Sequence, residues 1–201
     1  MQIAFIIVAL AALFALTFAL RTQPVDKGAD ERPGEIDPAA FSGLRSVFFA
    51  TRPENIAFPP VGSSASPDSG RSEKIYGAAF EIGFPPGTVS VVALADGTAS
   101  LYLETGGGII GAGRHESVHR QAIAFVDRAR ELEHLGEPVT GPPPLPENRQ
   151  VRFHWLGEDG VRSAAASELE LSAGTHPLGA FYATGQNLLE QIRVAHTPIV
   201  S

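Results

Sequence analysis

Cysteine is absent from the 201 residues. That removes disulfides, thiolate zinc sites, iron–sulfur clusters and cysteine nucleophiles together, and it leaves the redox compartment open, because oxidising and reducing spaces both tolerate a thiol-free chain. Basic residues are also scarce. Fifteen Lys and Arg stand against 22 Asp and Glu, a formal net charge of −7, and a chain without clustered cations is a poor match for a phosphate backbone, so nucleic acid is not an expected partner. No serine sits in a Gly-x-Ser-x-Gly context, which leaves a serine hydrolase unsupported. No Lys-Ser or Lys-Thr follows the glycine-rich stretch, which excludes a phosphate loop of the NTPase kind. One further gap is positional: Met1 to Leu20 carries no charged side chain and only Gln2 and Thr17 as polar ones.

Twenty helical residues at about 1.5 Å each span roughly 30 Å, the thickness of a hydrocarbon core, so residues 1–20 are expected to cross a bilayer once. A cleaved signal peptide is the competing reading. It normally opens with Lys or Arg, has a shorter apolar core and ends in an Ala-x-Ala type site. Here nothing charged precedes the core, which runs to Leu20, and the nearest small-residue site is the poor Thr17-Phe18-Ala19. Arg21, Lys27 and Arg32 follow the apolar run and nothing basic precedes it, so the bulk of the chain is expected in the cytoplasm, with periplasmic exposure the alternative.

Residues 21–74 are rich in Pro, Gly, Ser, Asp and Glu, a mixture that buries too little apolar surface to offset its ordering entropy, and they read as a tether. One stretch within it resists that description. Asp37 can cap a helix with Pro38 at its first position, and Phe41, Leu44, Val47 and Phe48 recur with helical spacing, predicting a short amphipathic helix over 38–50. Its apolar stripe either packs on the domain that follows or docks on a partner or the membrane surface. Phe41, Leu44, Phe48 and Phe49 are the candidate protein-contact residues, being apolar side chains in a polar segment.

A globular domain is expected over 75–196, with a short tail at 197–201. Tyr76, Ala78, Phe80, Ile82 and Phe84 alternate with smaller or polar residues, the period of a strand with one face on a core. Pro85-Pro86-Gly87 turns the chain into Val89–Ala95, and Asp96-Gly97 is a hairpin signal leading into Ala99, Leu101 and Leu103. A helix follows from about His115 to Leu135, stopped by Gly136 and Pro138. After the stiff extended segment 140–146, Val151, Phe153 and Trp155 alternate as a strand, turned at Glu158-Asp159-Gly160 into a partner from Val161. Thr175 can cap a last helix carrying Leu178, Phe181, Gly185, Leu188 and Ile192 on one face. The expected fold is α+β: a transmembrane helix, then a five-stranded antiparallel or mixed sheet with one face covered by two or three helices.

This order resembles the profilin-like class and, within it, roadblock-type domains. The resemblance covers residues 75–196 and rests on element order, with Ala95-Asp96-Gly97 before a strand and the glycines of 106–113 before the central helix as sequence support. Three strands rather than two precede the central helix and two rather than three follow it. The resemblance implies a non-catalytic platform that dimerises or holds partners, and it carries over no functional residues.

Three patterns could carry chemistry. His115-Glu116-Ser117-Val118-His119 matches His-Glu-x-x-His, in which two imidazoles one helical turn apart bind zinc and the glutamate activates a water. Against a zinc-dependent hydrolase stand the position of His115 at the very start of the helix, the cation Arg120 beside the second imidazole, and the want of an obvious third ligand. Gly106-Gly107-Gly108-Ile109-Ile110-Gly111 satisfies Gly-x-Gly-x-x-Gly and could present amides to an anion or nucleotide. In a dinucleotide site, though, the helix begins inside the glycines, whereas Ala112, Gly113 and Arg114 intervene here. Glu81 interrupts an apolar strand and is expected at an edge or in solvent; His154 and Trp155, on opposite faces of one strand, are expected as a surface imidazole and a core aromatic. The sequence is thus expected to encode a non-catalytic, membrane-anchored accessory or scaffold subunit. It would act by protein–protein contact within a larger membrane complex, with the bilayer and membrane proteins as partners, homodimerisation as an option, and no cofactor or metal.

Overall fold

The computed structural model describes residues 38–56 and 75–196. The expected anchor at 1–20, the Asp37 cap and most of the tether lie outside the described residues. Among those described, no helix is long and apolar enough to cross a membrane.

Helix α1 spans Pro38–Ala50. The sheet is built from β1 (Ile75–Phe84), β2 (Gly87–Leu94), β3 (Ala99–Leu103), β4 (Gly108–Ile109), β5 (Glu137–Val139), β6 (Gln150–Gly157) and β7 (Gly160–Ser167), in spatial order β4-β3-β2-β1-β6-β7-β5, every neighbouring pair antiparallel. Helices α2 (Glu116–Leu132), α3 (Glu168–Ser172) and α4 (Gly179–Ala195) complete the α+β chain.

Seven strands replace the five expected. The two additions are edge strands too short to show a period: β4 has two residues taken from the glycine stretch, and β5 includes Pro138, which reads as a helix stop. An edge strand accommodates a residue with no N–H to donate.

β1 and β2 are buried on both faces, because the sheet is a middle layer. One face presents Ala78, Phe80, Ile82, Val91, Leu101, Phe153 and Trp155 to α2 and α4. There the Phe181 ring stacks on Phe125 and Phe153 at 4.6 and 5.0 Å between centres, and the Trp155 indole N–H donates to the Ala129 carbonyl at 3.0 Å. The opposite face presents Tyr76, Ala79, Val92, Tyr102 and Leu156 to Phe41 and Phe48 of α1. Helices therefore lie on both faces, where the sequence suggested one.

Tyr76 was expected beside Ala78. A register shift between Ile75 and Gly77 against β6 inserts one residue and turns the tyrosine to the α1 side, where its hydroxyl donates to the Thr51 carbonyl at 3.0 Å. The last helix starts at Gly179 rather than near Thr175, whose hydroxyl instead donates to the Glu170 carbonyl.

Candidate functional site

The inward side of α1 reads 41, 44, 45, 48, 49, the i, i+3, i+4, i+7, i+8 positions of one helical face. Its central member is a cation. Phe41 and Phe48 are buried and Leu44 and Phe49 partly so, while Val47, which the spacing assigned to this stripe, is 65 % exposed. Arg45, its side chain only 10 % exposed, points into the sheet face and grips Glu81 in a two-pronged ion pair, Nε to Oε1 at 2.7 Å and Nη2 to Oε2 at 2.9 Å. Nη2 also donates to the Pro143 carbonyl at 2.6 Å, and the guanidinium lies 5.1 Å from the Phe49 ring centre.

Glu81 lies in the central strand of the sheet and is 2 % exposed, not at an edge as expected. Besides Arg45 it accepts a hydrogen bond from the Ser90 hydroxyl at 2.9 Å and one from His154 Nε2 at 3.1 Å. Burial by itself raises a carboxyl pKa, but the hydrogen bonds from His154 and Arg45 and the charge beside it outweigh that and hold Glu81 down to about 2. His154, expected at the surface, is fully buried, and burial pushes its pKa below the usual imidazole range. A neutral ring facing an acceptor-only carboxylate must carry its proton on Nε2. The Phe49 ring meets the imidazole edge-on at 4.9 Å between centres. His154 Nδ1 and the hydroxyl of its cross-strand neighbour Ser163 are buried without a hydrogen-bond partner among the described residues.

A carboxylate that accepts four hydrogen bonds and holds its charge to about pH 2 is a weak base, and a neutral imidazole bonded to it has its proton engaged. The cluster ties α1 to the sheet. A guanidinium fork fits a carboxylate in one register only, so Arg45 and Glu81 fix where α1 sits on an otherwise apolar face.

The residues of the His-Glu-x-x-His pattern go separate ways. His115 lies against His196 at the end of α4, ring centres 4.8 Å apart. Glu116 pairs with Arg120 at 2.8 Å in solvent, and the His119 ring packs against Gly97, where an added Cβ would stand 2.1 Å from Nδ1. Among the described residues no group of three or more His, Cys, Asp or Glu gathers in metal-holding geometry.

The glycine stretch is spent on structure. Gly106 and Gly107 turn the chain at positive φ, Gly108–Ile109 pair with β3, and the Gly111 amide donates to Ser100 Oγ at 3.2 Å. The four candidate contact residues of α1, Phe41, Leu44, Phe48 and Phe49, have the domain's own sheet as their neighbour here.

The sequence reading passed over the cluster of Arg45, Glu81, Ser90 and His154. Its signal was a mismatch repeated on two elements: one charge at a stripe position of an amphipathic helix and one opposite charge inside an apolar strand. Comparison with protein-family models, with curated proteins and with solved structures finds no match to this chain.

Proposed function

We propose that this chain is a non-catalytic accessory or scaffold subunit, held at a bilayer through residues 1–20, whose domain works by contact with other membrane proteins of a larger assembly or with a second copy of itself. What carries the reading is where the reactive side chains go. Glu116 is engaged by Arg120, His119 lies against a glycine, and Glu81 with His154 is sealed beneath α1. A preorganised catalytic site needs convergent polar groups aimed at a place a substrate can occupy, and these groups are paired off or, for His119, packed against backbone. Nucleic acid is not among the proposed partners, given the net charge of −7.

The test is purification of the full chain in a mild detergent, followed by identification of whatever remains attached. The expected result is stoichiometric retention of one or more membrane proteins, abolished when residues 1–20 are removed. A chain that purifies alone and as a monomer, or a mature N-terminus near position 20 or later, overturns the reading.

A further inference from the structure

The N-terminus of α2 and the C-terminus of α4 bring two imidazoles together, with the ring centres of His115 and His196 4.8 Å apart and the planes at 76°. We propose that His115 and His196 form a binding site for a borderline divalent cation of the Zn2+, Ni2+ or Cu2+ class, which clamps the two helix ends. This inference is independent of the docking function.

Three observations carry it. His196 Nδ1 lies 2.8 Å from the Ile192 carbonyl oxygen, and since a carbonyl only accepts, that nitrogen bears a proton and leaves Nε2 as the ring nitrogen able to bind a metal. A ring N–H tied to a backbone carbonyl is the usual way a metal-binding histidine is oriented. His115 stands at the N-cap of α2 with extended backbone, but its side chain is exposed and makes no capping hydrogen bond, so capping does not engage its ring nitrogens. The separation also fits: two imidazoles bound to one ion through nitrogens at about 2.0–2.1 Å hold their centres roughly 5 Å apart.

Charge nearby is divided: the C-terminus of α4 turns its negative dipole end toward His196, and Arg120 is held by Glu116 and Arg193 by Glu190, while the positive end of α2 and the exposed Arg114 stand on the His115 side. His119, one turn along, faces Gly97 and takes no part. Two protein ligands leave the remaining positions to water, which gives a site of moderate affinity open to exchange.

The test is calorimetric titration of Zn2+ into the full chain in detergent at neutral pH, with melting curves in parallel. The expected result is one saturable site that raises the melting temperature. Either His115→Gln or His196→Gln weakens it at least about tenfold, and His119→Gln changes it by less than about twofold. If His196→Gln lowers the metal-free melting temperature, the exposed His115→Gln variant decides. No saturable binding, binding that survives His115→Gln, or a loss in His119→Gln equal to the others overturns the site.

Discussion

Glu81 and Arg45 are the pair on which most turns, because each is a charge where its neighbours are apolar. Removing one partner of a buried pair strands the other, so Glu81→Gln is expected to lower stability by about 3–5 kcal/mol in urea unfolding. Combining it with Arg45→Met should lower stability by clearly less than the two single losses added together, since the stranded charge goes too. Additivity to within about 0.5 kcal/mol would show that the two side chains are not coupled.

Acid should act through the same residues. Between the ordinary carboxyl value of 4.5 and about 2, unfolded Glu81 takes up a proton that the folded residue refuses, so stability falls as pH drops through that window. The shift corresponds to a loss on the order of 3 kcal/mol. His154 adds to it in the same direction, starting below its ordinary 6.5, because the folded ring resists the proton that the unfolded ring accepts. Denaturant unfolding from pH 7 downward tests this, and a stability profile flat to pH 3 would contradict it. None of this was legible locally: Glu81 reads as an exposed acid because a strand's period says which face a residue takes, not whether that face meets water.

Helix α1 is a case where spacing identifies an element but blurs its orientation. Pro38 and the recurring apolar residues mark a helix, yet the rhythm admits either Val47 or Phe49 as the inner neighbour of Phe48, and the choice falls to the side on which Arg45 meets Glu81. Phe48→Ala is therefore expected to lower stability by about 3 kcal/mol or more, as for a buried phenylalanine. Val47→Ala, on the exposed side, should stay within about 0.5 kcal/mol. Equal effects in thermal or urea unfolding would mean the helix is docked in another register.

Gly185 reports on α4 in the same way. Alanine in place of a helical glycine usually stabilises, but a Cβ here would stand 2.7 Å from the Phe80 ring and 3.1 Å from Phe125, both buried. Gly185→Ala is expected to lower the unfolding free energy by about 1–3 kcal/mol through overpacking, and any gain in stability would refute the close approach.

For the molecule as a whole, three layers make α1 part of the domain rather than of the tether. Deleting residues 1–20 should leave the unfolding midpoint unchanged while moving the protein from the membrane to the soluble fraction. Deleting through residue 56 removes Phe41, Arg45 and Phe48 from a face that holds Tyr76, Val92, Tyr102 and Leu156. The shorter chain is expected to melt lower or aggregate, because an uncovered apolar sheet face is unstable in water. A chain starting at 57 that melts like the longer one would show that α1 contributes nothing.

The linear pattern was enough for an α+β chain, for β1, β2, β3, β6 and β7, and for α2, because periods of two and of 3.6 residues are local properties of the side chains, while it left the sheet antiparallel or mixed. It was not enough for β4 and β5, whose two and three residues become strands only by hydrogen-bonding to neighbours already in place. Nor did it show that both sheet faces are covered, or that residues 36 apart in the chain, Arg45 and Glu81, neutralise each other there. Such pairings depend on which surfaces meet, and that is set when helices and sheet pack, not by the spacing of residues along one element.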